Sequence, residues 1–128
     1  MSLYHEINEK AYKHNFEGIF YAFSDKQFEE GMNKCGYDEN TKLVKDGMGG
    51  FGTQEAFDER RKFYKKINDE IREKCTPEEI FEYEWWNHEC GLTYDYSEAL
   101  EITQEYFPDW EPEDRIVNKL QDKFNENY

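Results

Sequence analysis

The sequence predicts an α+β fold in a single domain spanning residues 1–128. Three observations lead there: an aromatic apolar run at 19–23, strict apolar–acidic alternation at 81–85, and three capping boxes that each open a helix. The elements alternate irregularly along the chain, so we do not expect a doubly wound parallel sheet. We expect about five helices and two or three short strands, at about 17–23, 42–45 and 81–88.

The first third of the chain is predicted to hold a helix, a strand and a second helix. Apolar residues at helical spacing indicate a helix over residues 2–14. The run at 19–23 has the length and composition of a buried strand. Ser24 then caps a helix that ends near Cys35, and Gly36 is expected to stop it in the left-handed conformation.

The middle of the chain is predicted to contain an edge strand, a loop and a long helix. Lysines at both ends of 42–45 favour an edge position, because charged residues discourage further strand pairing. The stretch Gly47-Met48-Gly49-Gly50-Phe51-Gly52 is expected to be a loop. Thr53 caps a helix that reaches about Lys74 and carries a basic face of Arg60, Arg61, Lys62, Lys65 and Lys66.

The last third is predicted to hold a strand between short helical segments. Thr76 and Pro77 form a helix start, for which we expect about one turn. The alternation at 81–85 then predicts a half-buried strand. Asp95 opens a helix that Pro108 closes, and a final helix is expected to start at Pro112.

Residues 76–114 carry thirteen acidic side chains and no Lys or Arg, which accounts for nearly all of the net charge of −14. The segment also holds three Trp, four Tyr and two Phe. Such a charge argues against direct binding of nucleic acid or an anionic membrane and favours a basic protein partner. Acidic and aromatic residues together predict a surface that meets that partner.

Three widely spaced cysteines, Cys35, Cys75 and Cys90, form neither a disulfide framework nor a Cys-x-x-Cys pair. This pattern favours a reducing compartment, and we expect a cytoplasmic protein. The N-terminus lacks the features of a signal peptide, and no apolar stretch approaches the ~20 residues that span a bilayer. We predict no cofactor.

Two patterns suggest chemistry, and in both the surroundings favour a structural role. The stretch Gly47-Met48-Gly49-Gly50-Phe51-Gly52 matches G-x-G-x-x-G, but it lacks the strand–helix–strand unit of a dinucleotide site, so we interpret it as a flexible connector or a mobile contact loop. His88 and Cys90 are a single loose pair of metal-ligand types, whereas zinc sites show close pairs on both sides. We therefore expect Cys90 to be buried and His88 to bond a carbonyl or carboxylate, and we predict no catalytic and no metal-ligating residue.

The stretch Asn87-His88-Glu89-Cys90-Gly91-Leu92-Thr93-Tyr94-Asp95, followed by Glu98-Ala99-Leu100, resembles a core stretch in small proteins of phages and mobile elements. Phe20-Tyr21-Ala22-Phe23-Ser24 with Gln27-Phe28-Glu29-Glu30-Gly31 is similar to the same group. The resemblance covers about a third of the chain. It implies a genomic setting and transfers no catalytic residues, because the group has no assigned activity. By analogy with other small acidic proteins of such genomes, it implies a protein that binds and blocks a host enzyme.

The leading hypothesis is a protein-binding module, not an enzyme, that presents carboxylates and aromatic anchors to a basic groove. Its sharper form is an inhibitor that mimics nucleic acid. We expect Trp86, His88, Tyr94 and Tyr96 to be exposed anchors and Trp85 to belong to the core. The complete set of predicted partner-binding residues is Glu82, Glu84, Trp86, His88, Tyr94, Asp95, Tyr96, Glu98, Glu101 and Glu105.

The alternative is a small-molecule or metal-binding domain, with or without enzymatic activity, built around His88, Cys90, Asp95 and the Gly47 to Gly52 segment. A self-associating structural protein is a third reading. The oligomeric state, the strand order and the position of the basic face of Arg60 to Lys66 relative to the acidic segment are left open by the sequence.

Overall fold

The computed structural model describes residues 2–127, and within them the α+β class is confirmed. The strands are β1 (Ile19–Tyr21), β2 (Val44–Lys45) and β3 (Gly50–Gly52). The helices are α1 (Leu3–Tyr12), α2 (Asp25–Cys35), α3 (Gln54–Lys74), α4 (Pro77–Asn87), α5 (Cys90–Thr93), α6 (Ser97–Tyr106) and α7 (Asp114–Asn127). No helix in this described part is both long and apolar enough to cross a bilayer.

The chain forms two compact units. The sheet unit is residues 13–66, and the helical unit combines the residues up to 12 with those from 67 onward. Helix α3 begins in the sheet unit and ends in the helical unit. The single domain over 1–128 stays a prediction.

The sheet unit contains a three-stranded antiparallel sheet in the order β1-β3-β2. Phe20 of β1 lies opposite Phe51 of β3, and Lys45 of β2 lies on the other side of Phe51. The strands expected at about 17–23 and 42–45 are confirmed, and the second lies at the sheet edge as its lysines indicated.

The Gly-rich segment does not remain a loop along its whole length, since residues 50–52 form the central strand. Glycine is needed there because the backbone is crowded. A Cβ at Gly52 would lie 2.6 Å from the carbonyl oxygen of Gly18, and one at Gly50 would collide with the carboxylate of Asp46. Glycine generally weakens a strand, so a glycine-rich segment does not predict one. Here a strand forms because the backbone approaches its neighbours too closely to leave room for a Cβ.

Aromatic rings fill the space between the sheet and α2. Phe20 stacks on Phe51 with ring centroids 5.5 Å apart, and the Phe28 ring of α2 meets both edge-on. The predicted limits of α2 are confirmed: the Ser24 hydroxyl accepts the Gln27 N–H at 3.2 Å, and Gly36 is left-handed at φ 71°. Helix α2 therefore begins and ends at the two residues, Ser24 and Gly36, that predicted its limits.

Several bases of α3 have partners inside the sheet unit. Arg60 donates to the Tyr21 hydroxyl at 2.9 Å and forms an ion pair with Asp46 at 3.7 Å. Arg61 pairs with Asp58 within α3, and Lys62 pairs with Glu59. Part of the predicted basic face is thus balanced by acids of the same unit.

The helical unit has two clusters of buried side chains. One contains Tyr4, Ile7, Ile71, Cys75 and Ile80. The other contains Phe81, Trp85, Cys90, Ala99 and Leu120, with the half-buried rings of Trp86, Tyr96, Trp110 and Phe124 packed against it. All three tryptophans of the chain therefore belong to the helical unit.

The predicted strand at 81–88 is wrong, because these residues continue α4 to Asn87. The apolar–acidic alternation was misleading because Glu84 is buried beside Phe81 and Trp85. Buried positions 80, 81, 84 and 85 follow the helical period instead. Thr76 caps this helix by accepting the Glu79 N–H at 3.2 Å, so the single turn expected after Pro77 extends to eleven residues.

The five predicted helices correspond to α1, α2, α3, α6 and α7, while α4 extends the single turn expected after Pro77 and α5 is additional. Two starts differ from expectation. Helix α6 begins at Ser97, whose N–H donates to the Asp95 side chain at 2.9 Å, and α7 begins at Asp114 instead of Pro112. The Asp95 bond runs two residues along the chain, which is a turn-type bond in place of a capping box.

We predict a pH-dependent role for Asp46 in the β2–β3 turn. Its carboxylate accepts the N–H groups of Met48 at 2.7 Å and Gly50 at 2.9 Å, and these bonds, with a smaller effect of Arg60, lower its pKa below the ordinary 3.8. A carboxyl group with a lowered folded-state pKa stabilises the fold fully above its unfolded pKa, here 3.8. This stabilisation is lost as the pH falls through the folded-state pKa. Asp46→Asn should therefore unfold at lower urea concentration than the wild type near neutral pH.

The difference between the two urea curves should close as the pH falls below 3.8. Glu39→Gln, a neutralised acid on the same unit's exposed turn, is the control and should match the wild type. A difference for Asp46→Asn that persists at low pH would mean that the charge is not what stabilises the turn.

Candidate functional site

A buried carboxylate connects three helices of the helical unit. Glu84 of α4 is only 7% exposed and accepts the Tyr4 hydroxyl of α1 at 2.7 Å. Its second oxygen lies 3.1 Å from Nε2 of His88, and Nδ1 of His88 lies 2.7 Å from the Glu98 carboxylate of α6. Because carboxylates only accept, His88 donates to both when both of its nitrogens carry protons.

The two tyrosines of this region keep their protons. Burial raises the pKa of Tyr4 far above its ordinary value of 10.0, and the hydrogen bond to Glu84 raises it further. Burial also raises the pKa of Tyr106, with a smaller contribution from the charge of Glu105. The Tyr4 hydroxyl is therefore a permanent donor to the buried carboxylate.

The predicted partner-binding residues separate into buried and exposed members. Glu84 is wrong as a surface residue, since it is a buried acceptor. The expectation of exposed anchors is also wrong in part: Trp86 and Tyr96 are half-buried against the core, and His88 is half-buried between two carboxylates. Tyr94 is exposed, at 76%. Trp85, 2% exposed, belongs to the core as predicted.

The remaining acids of the set are exposed. On α6, Glu98, Glu101 and Glu105 share the face opposite the buried Ala99 and Thr103. Among residues 2–127, Glu82, Glu101 and Glu105 take part in no ion pair. The other two exposed acids have local partners: Glu98 bonds His88, and Asp95 accepts from Ser97, whose hydroxyl is the main cause of a lowered pKa at Asp95.

The net charge is distributed very unequally between the two units. The sheet unit has ten acidic and ten basic side chains, so its formal net charge is zero. The helical unit has twenty acidic and six basic side chains, which gives the whole net charge of −14. The acidic surface predicted from residues 76–114 thus belongs to a unit that lacks the bases to neutralise it.

An open groove of about 610 Å³ lies on the same helical unit. Its apolar lining comes from Trp85, Trp86, Leu92, Tyr94 and Phe124, with Gly91 beneath them and Glu89 and Asn125 as polar members. Leu92 and Tyr94 are 65% and 76% exposed, so two large apolar side chains face solvent beside the groove. The sequence predicted only Trp86 and Tyr94 of this group.

Backbone strain accompanies the groove at both ends of α5. Glu89 and Tyr94 have φ values of 54° and 58°, and they are the non-glycine residues with positive φ in the described chain. That conformation costs roughly 1–2 kcal/mol for an L-residue and is unusual for a bulky one. Strained backbone persists where surrounding packing enforces it, and it is common at binding sites.

Tight packing under the groove holds α5 in place. A Cβ at Gly91 would lie 2.5 Å from Cγ of Phe124 and 2.7 Å from Cη2 of Trp85. The Gly91 carbonyl also accepts a hydrogen bond from the Gln121 side chain of α7 at 3.0 Å. A glycine is therefore required where α5 meets the aromatic rings of α4 and α7.

The residues of the alternative small-molecule or metal site are divided between the two units, and Cys90 lacks the properties of a nucleophile. Burial raises the pKa of the Cys90 thiol, which keeps it protonated, whereas a nucleophilic cysteine needs a lowered pKa. Cys90 is buried and His88 bonds carboxylates, as the structural interpretation expected. The Gly47 to Gly52 segment belongs to the sheet unit, and His88, Cys90 and Asp95 belong to the helical unit. Within residues 2–127, no three His, Cys, Asp or Glu side chains are grouped to hold a metal ion.

Fold and site together define a small α+β protein with a neutral sheet unit and a strongly acidic helical unit that bears an aromatic groove. The chain belongs to the family of unknown function DUF7659, whose profile matches residues 3–126. No curated protein and no solved structure matches it.

We predict that Tyr4→Phe destabilises the protein by about 1–3 kcal/mol, because it leaves the buried Glu84 without its hydroxyl donor. The change removes one oxygen and keeps the ring, so packing is largely preserved. Urea unfolding measures the difference. Tyr12→Phe is the matched control, since Tyr12 is 89% exposed on the same helix. Equal stability of Tyr4→Phe and the wild type would show that the bond to Glu84 contributes nothing.

We predict that Tyr94→Gly is more stable than Tyr94→Ala by about 1 kcal/mol. Both changes remove the exposed ring, but only glycine relieves the positive φ of 58°. The pair therefore separates backbone strain from the side chain itself, and thermal unfolding of both variants measures it. An alanine variant as stable as the glycine variant would mean that position 94 is not strained.

Proposed function

We propose that this protein is a binding module that presents an acidic surface to a basic protein partner, and that it belongs to a phage or mobile element. The single observation that carries the proposal is the charge distribution: a net charge of −14 in the helical unit and zero in the sheet unit. Such a field attracts a basic partner, accelerates its association and repels nucleic acid and anionic membranes.

Fixed geometry supports a recognition role for these charges. Glu98, Glu101 and Glu105 occupy one face of α6 over roughly 10 Å of its axis, taken at 1.5 Å per residue. The packed helix fixes the backbone positions and spacing of these carboxylates before a partner binds, so only their side chains are ordered on binding. An ordered row of negative charges can occupy a basic groove that normally binds phosphates. We propose inhibition by nucleic-acid mimicry as the mode of action.

Two further observations fit a cytoplasmic setting. Cys35, Cys75 and Cys90 are all free, and the last two are buried. Free, buried cysteines are typical of proteins in reducing compartments. The likeness of residues 87–95 to phage and mobile-element proteins supports the same setting, in which a host enzyme is the natural target.

We predict that Glu82→Gln/Glu101→Gln/Glu105→Gln weakens binding to the basic partner by about tenfold, mostly through slower association. The three carboxylates are exposed and unpaired, so the fold should remain stable. The immobilised protein would first capture partners from host lysate at low salt. Affinity and its salt dependence would then be measured on the purified partner by surface plasmon resonance.

The control is Glu17→Gln/Glu29→Gln/Glu39→Gln, which removes the same number of exposed charges from the sheet unit. It should bind with nearly the affinity of the wild type. Equal losses in both triple variants would mean that only total charge matters. Failure to retain any basic protein at low salt would refute the proposed function.

A further inference from the structure

We propose that the groove beside α5 binds an arginine side chain of the partner's basic segment. This inference rests on the proposed function, since it assumes a basic partner. It specifies which of the partner's side chains enters the groove once the acidic surface has attracted that partner. The groove volume of about 610 Å³ lies within the range of ligand sites and exceeds what one side chain needs. The excess leaves room for the backbone of a peptide segment.

Aromatic rings supply the first part of the recognition. Trp86 lies 4.9 Å from Trp85 and 6.2 Å from Phe124, measured between ring centroids, so the three rings form one packed aromatic wall of which Trp86 and Phe124 are the partly exposed members. Tyr94 adds an exposed ring to the same groove. Aromatic faces attract cations electrostatically, and a planar guanidinium also stacks on them.

A carboxylate supplies the second part. Glu89 is exposed and lines the groove, and the left-handed backbone at φ 54° sets the direction of its side chain. It takes part in no side-chain bond among residues 2–127, so its two oxygens are available to a ligand. Arginine presents paired N–H donors that match a carboxylate in a bidentate arrangement.

The electrostatics favour a cation over an apolar side chain. The groove belongs to the unit that carries the whole net charge of −14, and none of the residues from 2 to 127 that line it is a lysine or arginine. A cation enters such a field at a lower free energy than a neutral group of the same shape. Arginine is favoured over lysine because the ammonium is more strongly hydrated and makes no planar stack.

The strained ends of α5 indicate that the groove is built by the surrounding packing. Glu89 and Tyr94 both line the groove, and both have positive φ. Gly91 lies between them, where any larger residue would collide with the rings of Phe124 and Trp85. The packing around Gly91 thus positions α5, whose two flanking residues Glu89 and Tyr94 both line the groove.

The test is an NMR titration of the full chain with blocked nonapeptides of Gly and Ser that carry one central residue: arginine, citrulline, lysine or norleucine. The indole N–H resonances of Trp85 and Trp86 should shift with the arginine peptide. That of Trp110, which donates to Glu78 away from the groove, should not. Citrulline keeps the shape of arginine without the charge, so it should bind about tenfold more weakly, as should norleucine; lysine should bind more weakly than arginine.

Glu89→Gln should weaken arginine binding by about tenfold, whereas Glu111→Gln, an exposed acid of the same unit outside the groove, should not change it. Equal affinity for arginine and citrulline, or for arginine and lysine, would overturn the assignment, as would equal effects of the two Gln variants. The titration needs no natural partner. This inference alone would be refuted if the arginine peptide did not bind the groove while the triple substitution of Glu82, Glu101 and Glu105 still weakened binding of the basic partner. Arginine binding without any basic partner would refute only the proposed function.

Discussion

The helical unit depends on one buried carboxyl group, that of Glu84. An ionised carboxylate inside a protein costs several kcal/mol unless donors surround it. Glu84 has such partners because α1 brings the Tyr4 hydroxyl to it and His88 follows directly after α4. His88 in turn reaches Glu98 on α6, so one polar chain specifies how three helices meet. An apolar residue at position 84 would leave that arrangement to non-directional packing alone.

The same constraint shapes the surface. Since Glu84 and His88 serve the interior, the surface field comes from the other acids of the helical unit, among them Glu82, Glu101 and Glu105. These acids lie on α4 and α6, the helices that the contacts of Glu84, His88 and Glu98 join. Helices α4 and α6 therefore carry both the contacts of Glu84 and His88 and the exposed acids of the surface. The groove also joins interior and surface, because its wall includes Trp85 of the core and Trp86 next to it.

Local signals in the sequence predicted the parts of the fold that local chemistry determines. Ser24 and Gly36 delimit α2 through their own hydrogen bonds and backbone conformations, and these are readable without tertiary information. The burial of Glu84 is not predictable locally, because its hydroxyl donor Tyr4 is eighty residues away in the chain. The strand at Gly50 and Gly52 cannot be predicted locally, because the neighbours that crowd them, Asp46 and Gly18, come together only in the folded sheet.

The acidic character of the site could be read from composition, but the groove could not. Its wall joins Trp85 and Trp86 to Phe124, and the positive φ of Glu89 and Tyr94 has no sequence signature in non-glycine residues. Of its lining residues, the sequence predicts only Trp86 and Tyr94 as site residues. Sites that assemble from distant segments require the tertiary structure.

The location of the tryptophans makes the two units optically distinguishable. Trp85, Trp86 and Trp110 all belong to the helical unit, so emission excited selectively from tryptophan arises in that unit and not in the sheet unit. Far-ultraviolet circular dichroism, in contrast, includes α2 and the first part of α3 in the sheet unit. Coincident transitions by the two probes would mark one cooperative folding unit, whereas separated transitions would mark two, without any label or mutation.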